Sequence, residues 1–126
     1  MTDKSIISTT DAPAAIGPYE QAVVIGDLVF CSGQIALTPE GKLIEGDAAA
    51  QAEQVLANLN AVLKAAGSGL DKLVRTTVFL RDMADFNSVN DVYARLVPPP
   101  HPARACVEVS KLPRDVLVEI DGIATR

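Results

Sequence analysis

The chain has a single histidine, His101, and two cysteines, Cys31 and Cys106, and these bound much of the chemistry it could do. One imidazole and two distant thiols do not make a zinc site, whose ligands come in closely spaced sets. A serine–histidine–acid triad would have to use His101, which stands between Pro100 and Pro102, and no Gly-x-Ser-x-Gly elbow presents a serine to it. There is no Walker loop and no dinucleotide-binding glycine fingerprint. Charges also fall in strand-like stretches, Arg104 and Glu108 in ARACVEV and Glu119 in VLVEIDGI, and any of them left on a buried face would need a partner.

The elements that would position these groups are legible as alternating patterns. Residues 5–9, 21–25, 28–35, 73–81, 103–109 and 116–123 read as strands, from apolar runs and alternation bounded by turn residues. Gly26-Asp27 between the second and third suits a two-residue type II′ turn. Two helices are expected. The first runs from an Asp47 cap to a stop at Gly67, with Val55, Leu56, Leu59, Val62, Leu63 and Ala66 on one face. The second is capped by Asp82, carries Phe86, Val89, Tyr93, Leu96 and Val97, and ends at Pro98-Pro99-Pro100. The order strands, helix, strand, helix, strands implies an α+β domain over residues 1–126, a mixed sheet with both helices on one face. The expected helix-side residues are Val74/Val78/Leu80, Ala105/Val107/Val109 and Val118/Ile120. The other face would carry Leu73, Phe79, Cys106, Leu117 and Ile123 beside Arg104, Glu108 and Glu119. A face this apolar is expected to be buried against another copy.

Composition narrows the functional classes. The chain has 126 residues, 48% of them hydrophobic, and a formal charge of -5. That acidic balance, without any Lys/Arg run, argues against nucleic-acid binding. Residues 1–8 lack the apolar core of a signal peptide, and no apolar stretch is long enough to span a bilayer. A reduced cytoplasmic protein is the expectation.

Several short pieces then recur in a set order: Ala15-Ile16-Gly17-Pro18-Tyr19 with Gln21-Ala22; Ser32-Gly33-Gln34-Ile35; Thr76-Thr77-Val78-Phe79-Leu80; Val89-Asn90-Asp91-Val92-Tyr93; Pro102-Ala103-Arg104-Ala105-Cys106-Val107-Glu108-Val109; Leu112-Pro113; and Val118-Glu119-Ile120. Each is weak alone, but their order and spacing closely resemble the RidA (YjgF-type) family of 2-iminobutanoate/2-iminopropanoate deaminases, over about residues 6 to 125. The resemblance implies a chorismate-mutase-like α+β fold and a homotrimer with a site in each cleft between neighbours. It implies hydrolysis of reactive 2-imino acids and enamines to 2-keto acids and ammonia, without a cofactor or metal.

Residue by residue, Arg104 resembles the family's carboxylate-binding arginine, a role that suits a guanidinium, whose planar fork grips a carboxylate through two hydrogen bonds. Glu119 resembles the glutamate that positions or activates the attacking water, and a carboxylate poised in apolar surroundings binds its proton more tightly and can shuttle it. The ordinary alternatives are a solvated or ion-paired strand arginine, and a glutamate paired with Arg75 or another surface charge. Cys106 falls in the site beside Arg104. The resemblance implies that its backbone groups meet the imine or water, and its ordinary alternative is a small buried apolar residue. Tyr19, Ser32, Gly33 and Asn90 match substrate-binding positions. Asn90 is otherwise a solvent-facing helical asparagine, and Gly33 allows a close approach. The chain departs from the family where Pro98-Pro99-Pro100-His101-Pro102 replaces a longer loop, next to the arginine. That change bears on substrate size, with His101 either at the pocket mouth or in an exposed loop. Two other classes fit the same residues. One is a sensor that binds a 2-keto acid or amino acid without turnover. The other is an endoribonuclease, against which the acidic charge argues.

Overall fold

The computed structural model describes residues 3–126. Strands β1 (Lys4–Ile7), β2 (Ala22–Ile25) and β3 (Leu28–Gln34) form an antiparallel run. Gly26 turns the β2–β3 hairpin at φ +58°, while Asp27 keeps a negative φ. A glycine takes that conformation without a Cβ penalty, and the pairing of signs is that of the expected type II′ turn. Helix α1 (Ala48–Ala65) starts where Asp47 accepts a hydrogen bond from the Ala50 N–H at 2.9 Å. It closes with the Ser68 N–H on the Leu63 carbonyl and the Gly67 N–H on that of Lys64, the bond pair of a Schellman cap. Ala48 and Ala52 on its buried face let it lie close to the sheet.

Strand β4 (Leu73–Leu80) is followed by helix α2 (Phe86–Leu96), edge strand β5 (Ala103–Glu108) and strand β6 (Val118–Thr125). The six strands lie in the order β1-β2-β3-β6-β4-β5. Only β4 and β5 pair in parallel, because α2 carries the chain back between them. The expected mixed sheet with two helices is thus the observed architecture. The main core lies between α1, α2 and one face of the sheet, around Val55, Leu56, Leu59, Val78, Leu80 and Ile120. A smaller apolar cluster of Ile35, Leu37, Leu112 and Val116, with Phe79 and Val109 against it, closes one end.

Several local expectations are corrected. The β4–β6 register shifts between Leu73 and Arg75, so Leu73 turns into the core and Val74 is exposed at 48%. Strand β5 has the reverse facing. Arg104, Cys106 and Glu108 pair in register with Thr76, Val78 and Leu80, so they lie on the helix side, and Val107 lies on the open face. In a parallel pair, opposed residues share a face. Finally, Asp82 caps a short 3-10 turn (Met83–Asp85) by accepting from the Ala84 N–H, and α2 begins only after it. Strand β6 begins at Val118, and from there the alternation holds: Val118 and Ile120 are buried, while Glu119 and Ile123 are half-buried on the open face. Before it, the chain is not yet a strand, so Leu117, expected on the open face, packs against the main core, and Val116, expected on the helix side, joins the smaller cluster.

Candidate active site

The sequence-selected residues gather in two separate clefts. The first, about 480 Å³, is lined by Ile16, Tyr19, Ser32, Gly33, Ile35, Pro113 and Glu119. Strand β6 presents Glu119 to it, and the end of β3 supplies Ser32 and Gly33. With the Glu119 carboxyl where it stands, there is no room for a side chain at position 33. A Cβ there would stand 2.9 Å from Glu119 Cδ, inside any carbon contact, and closer still to Oε2. The Ser32 hydroxyl donates to the Glu20 carbonyl at 2.6 Å, which ties the Tyr19 loop to β3. Tyr19 itself accepts from the Ile16 N–H through its hydroxyl at 3.3 Å, and its ring walls the cleft.

Burial lifts the Glu119 carboxyl above the usual carboxylate range, and the Asp121 carboxylate adds to the effect. The ion pair with Arg75 does not form. Among the described residues the one salt bridge joins Arg95 to Glu53, on the exposed surface. Arg75 pairs with Ile123, well along the sheet from Glu119. A half-buried glutamate of raised proton affinity, with no cation paired to it among the described residues, is equipped to accept a proton from water and return it.

The second cleft, about 320 Å³, is lined by Asn90, Tyr93, Ala94, His101, Pro102 and Arg104. His101 therefore does face the arginine's cleft, from the shortened proline loop. The Arg104 guanidinium lies over two rings of α2, with Cζ 4.8 Å from the Tyr93 centroid and 5.7 Å from that of Phe86. Cation–ring contact at these distances is attractive and fixes the plane of the fork. No carboxylate pairs with Arg104 among the described residues, so its donors are left for an anion.

Cys106 lines neither cleft. It sits two residues along β5 from Arg104, half-buried against the main core. Burial pushes its thiol up and outweighs the Arg104 charge, which keeps it protonated and unsuited to nucleophilic work. Cys31 is more deeply placed, its pKa pushed up to about 12 by burial and then by Asp121.

Within one chain the two clefts do not converge. Glu119 and Val107 both pair with Phe79, and Arg104 lies three residues before Val107. Standard strand spacings put the Arg104 and Glu119 Cα atoms roughly 14 Å apart, with side chains on opposite faces of the sheet. Sequence patterns missed Tyr93 and Phe86 as supports of Arg104. At i and i+7 on a helix they read as core, and only the β4–β5 register brings them beneath the arginine. Ile16, Ile35 and Pro113 were likewise missed, since apolar lining residues carry no chemical signal.

Comparison with known proteins gives consistent relatives. A family model described as Endoribonuclease L-PSP matches residues 9–126. A RutC family protein of Synechocystis is 52% identical over 94% of this chain and 94% of its own length. The 2-iminobutanoate/2-iminopropanoate deaminase of mouse is 47% identical, covering 98% of this chain and 92% of that protein. The crystal structure of RidA from an Antarctic Psychrobacter superposes with a TM-score of 0.93 at 44% identity, covering 97% of this chain and 99% of that one.

Proposed function

The chain belongs to the endoribonuclease L-PSP family, in which its relatives carry the names RidA and RutC, and on that premise we propose that it hydrolyses reactive 2-imino acids and their enamine tautomers. The products are a 2-keto acid and ammonia. The substrates are short-chain species of the 2-iminopropanoate and 2-iminobutanoate type, and the reaction takes place in the cytoplasm. The observation that carries this reading is Arg104: a guanidinium stacked on Tyr93 and Phe86, facing a cleft, with no acidic partner among the described residues. That arrangement suits a small carboxylate better than it suits a structural ion pair.

The working site takes Arg104 and Asn90 from one subunit and Tyr19, Ser32, Gly33 and Glu119 from its neighbour, in a homotrimer. The geometry supports this assembly. A 2-imino acid carries its carboxylate on the carbon next to the reacting one, so arginine and glutamate must approach a single small molecule. Side chains roughly 14 Å apart at the backbone and on opposite faces cannot do so from one chain. The open sheet face, with Phe30 and Val107 exposed near 40%, offers an apolar surface for the contact.

In the proposed sequence Arg104 holds the carboxylate of the protonated imine. Glu119 accepts a proton from a water as its oxygen bonds to the imine carbon, giving a neutral carbinolamine. Glu119 returns that proton to the nitrogen. The C–N bond breaks and ammonia leaves, while the hydroxyl oxygen becomes the keto oxygen and gives up its proton to the Glu119 carboxylate, which passes it to ammonia or solvent. Backbone groups beside Cys106 orient the nitrogen, and no cofactor takes part. Orientation and charge stabilisation supply the acceleration.

The test is subunit mixing. Arg104→Ala and Glu119→Gln proteins are each expected to be inactive in a semicarbazide-trapping assay fed by an amino-acid oxidase. Unfolded together at equal amounts and refolded, they should recover about a quarter of wild-type activity, because a site between neighbours is then whole at one junction in four. No recovery from folded mixed trimers would overturn the shared site. A wild type without turnover would overturn the reaction and leave a ligand-binding module as the better reading.

A further inference from the structure

Arg104 lies in direct register with Thr76 on β4, on the same face of the sheet. Thr76 is 1% exposed, and its hydroxyl lies 2.7 Å from that of Tyr93, which is 5% exposed. The two hydroxyls, both on buried residues, are hydrogen-bonded to each other. Packing alone does not call for them, since valine and phenylalanine would fill the same volumes without a polar group to satisfy.

What the hydroxyl pair does is fix the Tyr93 ring. The ring is held at its far end by Thr76 and carries the Arg104 guanidinium over its face, 4.8 Å from the centroid. A closed circuit results: the β4–β5 ladder sets Arg104 against Thr76, the hydroxyl bond sets Tyr93 against Thr76, and the ring sets the guanidinium. Phe86, two helical turns earlier on α2, adds a second ring 5.7 Å from the guanidinium.

We propose that Thr76 and Tyr93 are positioning residues for the anion-binding fork, acting on it through Arg104 by way of their buried hydroxyl pair. The inference rests on the reading of Arg104 as the carboxylate anchor. With the hydroxyl bond removed, the ring keeps its place in the core but gains freedom to tilt, and the fork above it loses its fixed plane. Affinity for carboxylates then falls, while the step carried out by Glu119 in the other cleft is untouched.

The experiment measures two things on wild type, Tyr93→Phe, Thr76→Val, Thr76→Ser and Arg104→Ala. One is binding of 2-oxobutanoate by titration calorimetry. The other is KM and kcat for imine hydrolysis. Tyr93→Phe and Thr76→Val should each raise Kd and KM by about tenfold with kcat within about twofold, the signature of lost uniform binding. The double variant should be no worse than either single one, because both break one bond. Thr76→Ser should return Kd and KM to within about twofold of wild type, since it restores the hydroxyl. A general loss of structure would lower kcat as well and would not be rescued by serine. Wild-type Kd and KM in both hydroxyl-deleted variants overturns the positioning role alone. Binding without turnover in the wild type overturns the hydrolase reading, and the Kd values still decide the positioning. Neither binding nor turnover by the wild type overturns both.

Discussion

Substituting Gly33 by alanine separates the placement of Glu119 from the stability of the fold. A Cβ at position 33 would stand 2.9 Å from Glu119 Cδ and 3.1 Å from its Cγ. Carbon atoms settle at about 3.5–4.0 Å, so the carboxyl group must retreat by about 1 Å. Gly33 has no positive φ, so alanine meets no backbone strain, and the clash falls on the free end of a side chain. Stability should stay level or rise by about 0.5 kcal/mol, through reduced freedom of the unfolded chain. The reaction is less tolerant. A misplacement of about 1 Å costs on the order of 100-fold in rate, which is about 2.7 kcal/mol of transition-state stabilisation. The expected protein melts like wild type and has a KM within about threefold, since Arg104 lies in the other cleft. Its kcat, read by semicarbazide trapping of oxidase-generated imino acids, falls by about 100-fold. In a Glu119→Gln background the same substitution should add little further loss. A Gly33→Ala protein with wild-type kcat would refute the role given to Glu119, and a loss of rate that merely follows a fall in Tm would do the same.

Three further outcomes follow from particular contacts. Burial, and then Asp121, hold the Glu119 carboxyl above its usual range, so the folded chain binds that proton more tightly than the unfolded one. The contribution is full below the ordinary glutamate value and is lost as pH rises through the raised one. Glu119→Gln should therefore raise Tm at neutral pH and give no gain below about pH 4; an equal gain at both would sink this account. Arg114 sits at φ 58° with its side chain exposed, so Arg114→Gly should stabilise by about 0.5 kcal/mol, relieved strain exceeding the entropy of glycine. Urea titration checks this, and a lower midpoint counts against it. Asn58 donates to the buried carbonyls of Ile35 and Leu37 at 3.2 and 2.8 Å. Asn58→Ala should cost about 3 kcal/mol, as two buried acceptors lose their partner; a loss under about 1 kcal/mol would mean that water replaces the amide.

Periodicity made α1 legible, because Asp47 and Gly67 bracket an unbroken apolar stripe. It made β6 legible too, where Val118 and Ile120 alternate with Glu119. It failed on β4 at the bulge, since one residue out of step reverses the faces of Leu73 and Val74 without any mark in the sequence. On β5 the alternation of Ala105, Val107 and Val109 suggested an inward face, yet the ladder with β4 turns Arg104 and Cys106 to the helix side. At an edge strand both faces are partly open, so hydrophobicity does not decide the facing. The candidate residues Tyr19, Ser32, Gly33 and Glu119 did come together in one cleft, and Arg104 with Asn90 in another. What single-chain patterns could not give was the gap between the two clefts. It is set by strand order and register, and these join segments far apart in sequence.

The two outermost strands carry a consequence for solubility. β1 and β5 each have a strand neighbour on one side only, which leaves a row of backbone groups able to template a foreign strand. Both are short, four and six residues. β1 begins with Lys4, and β5 follows Pro102 and carries Arg104 and Glu108 on one face. Charges and a proline so placed oppose edge-to-edge stacking. The arginine assigned to substrate thus also guards the sheet margin, and a neutral replacement there removes a barrier to aggregation along with an anchor.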